Sequence, residues 1–292
     1  MAVSGWCMYL MAHDHQGKAR GLMQALIGLG HEFVFGRPDV LLIDHDGPAY
    51  YRNIIEGVGA PAVLYPHGAG VCPAWDGVWE PHNSTKAMLT WGEGQADTLR
   101  AYGYPKPVHP VGWWLCERAS FRAFEGELPK VLFGPIHPLN NGHLREEAKK
   151  RNARTYSRLL EMFNEGEIEL TVRHVGPLGA SGLFPAYGVH YRVADADPVS
   201  QIDTADLVVA TGTMALLAMA RGCPTVTFDQ GMVYEDDGRQ AEHWSEYIEE
   251  YPYSLDGLTE ALARPATGYV ARFIGGALDA ARVTEVLEFA CA

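Results

Sequence analysis

One stretch constrains the fold more than any other. Residues 206–230 read DLVVATGTMALLAMARGCPTVTFDQ. Residues 206–210 form a short apolar run of strand type, and Thr211-Gly212-Thr213 is a small polar turn. Residues 214–221 are rich in Ala, Leu and Met, which are good helix formers. Gly222-Cys223-Pro224 stops that helix, with Gly at its end and Pro just beyond. Residues 225–228 then return to strand character. A strand, a small-residue turn, a helix and a second strand make a βαβ unit. Its turn would set backbone N–H groups at a helix N-terminus, where phosphates bind. A plain βαβ unit with a tight turn would show the same pattern, so the stretch by itself leaves both readings open.

The 292 residues are enough for two domains of ordinary size, and 47% hydrophobic residues support a real core. No run of 18 apolar residues occurs, so no membrane span is expected. The N-terminus, MAVSGWCMYLMAHDHQG, lacks a basic lead-in and reads as a core strand rather than a signal peptide. Cys7, Cys72, Cys116, Cys223 and Cys291 are odd in number and scattered, with no CxxC pair. That pattern indicates neither a disulfide framework nor a zinc site and suits a reducing cytoplasm. The net charge of −13 is uneven: −3 over residues 1–126, +4 over 127–158 and −14 over 159–292. An acidic chain is not predisposed to nucleic acid, apart from the local basic stretch.

Strand and helix patterns alternate along the whole chain. Strands are expected at 5–11, 31–35, 40–43, 62–65, 87–91 and 108–114, with helices at 22–29, 49–58 and 94–102. Residues 72–85 read as an irregular loop with Trp75 and Trp79, suited to stacking on a ligand or to anchoring the loop. After a change of character at 117–129, strands are expected at 130–133, 168–174, 189–193, 206–210 and 225–228. Helices are expected at 144–164, 198–204, 214–221, 255–263 and 269–290. Such alternation predicts an α/β protein of two Rossmann-like domains with parallel sheets facing a central cleft. The expected domains are 1–126 and 127–292, the last helix packing back on the first. Ligands in such folds bind beyond the carboxyl ends of the strands.

Four segments carry a family resemblance: LYPHGAG (64–70), TWGEGQADTLRAYGYPKPVHPVGWW (90–114), ELTVRHVG (169–176) and ADLVVATGTMALLAMARGCPTVTFDQ (205–230). In order and wording they resemble glycosyltransferases of the GT-B fold. The branch with CDP-glycerol glycerophosphotransferases, capsule transferases and UDP-N-acetylglucosamine 2-epimerase is closest in kind. The resemblance implies a nucleotide-sugar donor, a UDP-sugar first, and neither an obligatory metal nor another cofactor. It departs in one place: the helix position where many such enzymes carry a ribose-binding Glu is Leu217. Asp195-Ala196-Asp197 has metal-like spacing but lies ahead of a helix, where Asp197 suits an N-cap.

Glycosyl transfer needs a base for the acceptor hydroxyl and positive charge or N–H dipoles for the leaving phosphate. His67, ending a strand beside glycines, is the first candidate base, the role the resemblance gives it. Asp14, between His13 and His15, is the competitor. For the donor, Arg173, His174 and the Thr211-Gly212-Thr213 turn suit phosphate. Gly134 and His137 at another strand end, and Asp229-Gln230 after the last strand of the unit, complete the set. Each also has a bland structural explanation: a turn, a cap or a salt bridge.

In the basic stretch 144–158, Lys150, Arg154 and Arg158 fall on one helix face with Arg151 beside it. They suit either a solvated face balanced by Glu146 and Glu147 or a polyanionic acceptor such as DNA. The expected activity is sugar transfer to a hydroxyl, on a hydroxymethylated pyrimidine of phage-type DNA or on a cell-surface glycan or polyol phosphate. A base within a duplex would first be flipped out. A 2-epimerase-like enzyme and a non-catalytic GT-B binding module are the alternatives.

Overall fold

The computed structural model describes residues 2–5, 22, 24–34, 38–43, 49–65, 80–101, 103–113, 116, 120–135, 142–173, 191–192, 198–210, 212–226, 255–263 and 274–292. The chain divides into two compact units. One comprises Met1–Glu117, Tyr234–Arg239 and Val270–Ala292; the other comprises Arg118–Val233 and Gln240–Tyr269.

The first unit holds β1 (Ala2–Gly5), β2 (Glu32–Phe33), β3 (Val40–Ile43), β4 (Ala62–Leu64), β5 (Thr85–Thr90) and β6 (Val108–Pro110). They form one sheet in the order β2-β1-β3-β4-β5-β6, with every pairing parallel. Parallel neighbours need crossover segments. Helix α1 (Ala49–Val58) joins β3 to β4, and α2 (Glu93–Ala101) joins β5 to β6. All four residues of β3 are buried, as expected for a parallel strand covered on both faces. Leu41, Ile43 and Leu64 pack there with Ile55 of α1 and Leu99 of α2. The first strand begins at Ala2, earlier than the 5–11 expected, with Val3 opposite Val40 and Gly5 opposite Leu42. Residues 6–11 lie outside the described residues.

The second unit holds β7 (Lys130–Phe133), β8 (Glu169–Arg173), β9 (Tyr191–Arg192), β10 (Leu207–Val209) and β11 (Thr225–Val226). Their order is β11-β10-β7-β8-β9, again all parallel. Helices α3 (Gly142–Asn164), α4 (Pro198–Thr204) and α5 (Gly212–Ala220) connect the strands, and α6 (Leu255–Ala263) follows. A reciprocal pair pins the start of β7 to the β10 strand. Lys130 N–H donates to the Asp206 carboxylate at 2.8 Å, and Asp206 N–H donates to the Lys130 carbonyl at 2.9 Å. Tyr156, Leu159 and Met162 turn one face of α3 onto the sheet core, and the Tyr156 ring stacks on Phe133 at 6.3 Å. In α5 every residue from Ala215 to Ala220 is buried, the pattern of a helix enclosed on all sides.

The break between units falls at Glu117/Arg118, ahead of the 126/127 boundary expected from the sequence. Arg122 explains the shift. Its backbone N–H donates to the Gly222 carbonyl at 2.9 Å, and its guanidinium donates to the Asp203 and Ile202 carbonyls at 2.6 and 2.8 Å. The segment that looked like a connector is therefore bound into the second unit.

The last helix, α7, spans Ala280–Cys291, not 269–290. Gly275 and Gly276 adopt φ of 61° and 135°, which no helix allows, and Asp279 caps α7 by accepting from Arg282 N–H at 2.9 Å. Val283, Val286, Leu287 and Ala290 form the buried face of α7, which lies against β3, β4 and β5. The His31 ring reaches Thr284 Oγ1 at 2.8 Å and ties the entry to β2 to the same helix.

Candidate functional site

The second sheet reverses its strand order between β7 and β10. Counted along this unit the order is 5-4-1-2-3, so the connections leaving β7 and β10 run to opposite sides of the sheet. A crevice opens at the carboxyl ends of two such strands, and ligands of open α/β sheets bind there.

Gly134 follows β7 at this point, and its N–H donates to the Val209 carbonyl of β10 at 2.8 Å. A Cβ placed on Gly134 would collide with the Met214 sulfur and stand 3.2 Å from the Ala210 Cβ. Met214 is in the first turn of α5. Glycine therefore lets the start of that helix settle over the end of β7. The first N–H groups of α5 have no partner inside the helix and carry the positive end of its dipole. The sequence places Gly134 at the donor site; in the structure it stands at this sheet end and admits α5.

Arg173 is the last residue of β8, beside β7, and is half-buried. Its Nη1 donates to Oε1 of Gln201 on α4. Gln201 is buried, and its Nε2 has no hydrogen-bond partner. Helix α4 is fixed at its far end by the two Arg122 bonds and by Arg221, which donates twice to the Asp203 carboxylate, each at 2.6 Å. The Arg221 guanidinium holds the Asp203 carboxyl below the usual carboxylate range. Nothing in the sequence marked Gln201 or Arg122. One is a Gln in a short helix and the other an Arg in an apparent connector, and only the tertiary fold joins them to Arg173.

The structure thus brings together Gly134, Arg173 and the Gly212 start of α5 at one sheet end. Thr213 lies in the first turn of α5 by its backbone. His67, Asp14, His137, His174, Thr211, Asp229 and Gln230 lie outside the described residues, as do Trp75, Trp79 and the Asp195–Asp197 pair. Leu217 is a core residue of α5, 1% exposed, so a ribose-binding carboxylate at that helix position has no counterpart here. On α3, Arg154 is exposed, and Arg158 pairs with Glu161 at 2.9 Å, which neutralises part of the basic face. Cys223 is buried and its thiol is pushed up to about 12, so it stays protonated and inert.

No protein family and no curated protein matches the chain. Solved structures do. The wall teichoic acid polymerase TagF superposes with a TM-score of 0.50 at 10% identity, over 87% of this chain and 73% of its own. The glycotransferase of kitacinnamycin matches at 0.49 and 15%, over 99% and 94% of the two chains. The GtfA/B complex matches at 0.45 and 13%, over 91% of this chain and 59% of that one, so the chain spans little more than half of that neighbour. The TagF superposition, with two all-parallel sheets, establishes the fold as that of GT-B glycosyltransferases.

Proposed function

We propose that the chain is a GT-B glycosyltransferase that moves a sugar from a nucleotide-sugar donor, a UDP-sugar first, to an acceptor hydroxyl. The observation that carries this reading is the polar end of the second sheet. Gly134 admits the N-terminus of α5 at the strand-order reversal, and Arg173 stands on the neighbouring strand. That set offers N–H dipoles and a guanidinium to a diphosphate.

In the transfer, the acceptor oxygen bonds to the sugar's anomeric carbon as the bond from that carbon to the phosphate oxygen breaks. The electron pair leaves with the nucleoside diphosphate, where Arg173 and the α5 N-terminus meet the growing charge. The acceptor's proton goes to His67, with Asp14 as the other candidate base. The fold resemblance implies no resident metal.

The acceptor is a hydroxymethylated pyrimidine in DNA or a hydroxyl of a glycan or polyol phosphate. Lys150, Arg151, Arg154 and Arg158 would serve the DNA case, against the Arg158–Glu161 pair, which weakens it. Among the described residues no helix is long and apolar enough to cross a membrane.

The test is a mass-detected transfer assay with UDP-, CDP- and dTDP-sugars. One arm supplies hydroxymethylated DNA, a second a glycan and polyol phosphate extract, and a third no acceptor. Sugar-bearing product in either of the first two arms supports transfer and names the acceptor. An epimerised donor in the third arm makes the chain an epimerase. A full donor panel that neither turns over nor raises the melting temperature makes it a binding module without donor; a ligand at 100 times its Kd would add about 2.7 kcal/mol.

A further inference from the structure

We propose that Gln201 is a residue of the donor-phosphate site, setting the Arg173 guanidinium through Oε1 and donating to the same diphosphate through Nε2. The inference rests on the reading of this sheet end as a sugar-nucleotide site.

An arginine at a strand end is long and rotamer-rich, so a two-point contact to phosphate requires something to hold its fork. Gln201 does so from α4. That helix is too short to be stable alone, but Arg122 and Arg221 fasten its carboxyl end. The pairing also fixes how the amide is turned. A guanidinium has only donors, so the amide must present its oxygen to Arg173.

The Nε2 group is left with two N–H donors. It is buried, the residue being 9% exposed, and it has no hydrogen-bond partner. A buried N–H without an acceptor is costly, and Leu would fill nearly the same volume without that cost. The amide is accounted for once an acceptor arrives beside Arg173. An acceptor suited to an amide N–H beside a guanidinium is an anion with several oxygens, which is what the donor's diphosphate supplies.

Calorimetric titrations of the full chain test this. The probes are UDP, CDP and dTDP, each against its own nucleoside. The readout is the preference for diphosphate over nucleoside, which cancels changes in base binding. Arg173→Ala should cut that preference by roughly 10- to 100-fold, the scale of charge-assisted hydrogen bonds. Gln201→Leu should cut it about tenfold with nucleoside affinity unmoved, and should add little on top of Arg173→Ala.

Gln201→Glu keeps an acceptor for Arg173 but gives up the N–H donors, so it should cut the preference at least as far. It also carries the comparison if the Leu variant melts too low to titrate. A wild-type preference retained by both Gln201 variants, with Arg173→Ala impaired, overturns the role of Gln201 and leaves the donor site standing. A preference kept by Gln201→Glu alone overturns the direct contact. A wild-type chain that binds no diphosphate better than its nucleoside overturns the donor site and Gln201 together.

Discussion

The two sheets are alike in architecture and opposite in how their described strand ends are finished. In the first unit, the residues just past β4, β5 and β6 are sealed with aromatic rings and backbone. Tyr65 donates its hydroxyl to the Gly112 carbonyl at 3.0 Å, and Trp91 stacks on Trp113 with ring centroids 4.2 Å apart. The segment before α7 returns over them: Trp113 N–H donates to the Gly276 carbonyl at 3.0 Å, and Asp279 N–H to the Val111 carbonyl at 2.7 Å. In the second unit, the ends of β7, β8 and β10 carry a glycine, an arginine and the start of a helix. A parallel sheet supplies converging strand ends in either case. The side chains placed on them decide whether the end is plugged or left polar.

The comparison can be broken first at the plug. Trp91 and Trp113 are among the largest fully buried side chains of the described residues. Trp91→Ala should destabilise the first unit by about 3–5 kcal/mol, the usual cost of a truncated buried aromatic. Gly112 has φ of 82°, and a Cβ there would come within 2.8 Å of the Ala277 carbonyl carbon, which is main chain and cannot step aside. Gly112→Ala should cost about 2–4 kcal/mol from the strained backbone together with that clash. Denaturant titration followed by tryptophan fluorescence measures both. A Trp91→Ala protein with wild-type stability would mean the stacked pair is not what closes this end.

The polar end should respond in the opposite way, losing binding more than stability. Arg173→Ala is expected to weaken nucleoside diphosphate binding by about 1.5–3 kcal/mol, with a smaller loss of stability, about 1 kcal/mol, because the buried Gln201 oxygen loses its donor. Gly134→Ala meets a flexible methionine side chain rather than backbone. Its cost should be about 1–2 kcal/mol, typical of a modest overpacking, and Gly134→Ala/Met214→Ala should recover most of it. Failure of that recovery would mean the glycine is needed for its backbone and not for the space above it.

Both units were legible in the sequence where periodicity and punctuation agree. The limits of β3, β7, α1, α4 and α6 follow from apolar runs bounded by Gly, Pro or Asp, and the βαβ unit around Gly212 from its helix stop at Gly222-Cys223-Pro224. The terminal helix was extended too far because residues 269–290 are apolar enough to look continuous. The interruption lay in Gly275-Gly276 and in the cap at Asp279, both of which local chemistry could have flagged. The Gln201–Arg173 and Arg122–α4 bonds were not legible, since |i−j| is 28 for the first and about 80 for the second. No periodicity links residues that distant, and their partners follow only once the strand order β10-β7-β8 is known.

Acidification separates the two units by a smaller effect. His109 lies on the edge strand β6, and its Nε2 is buried without a partner. Burial first, then the charges of Arg282 and Arg100, hold its pKa below the ordinary histidine value. A histidine kept neutral by the fold binds its proton more readily once unfolded, so stability is present above about pH 6.5 and falls as pH drops toward the folded value. Asp203, in the second unit, is also depressed, but as a carboxylate. Its contribution persists until pH falls below about 4 and is then lost through the lower folded value. Asp203 is exposed, so solvent screening keeps its effect small, and the half-buried His109 is screened in part. His109→Gln should flatten the decline in melting temperature between pH 7 and pH 5, whereas Asp203→Asn should leave that interval unchanged and act only below it. A His109→Gln protein with the wild-type slope over pH 7 to 5 would show that the depressed histidine does not govern the first unit's response to acid.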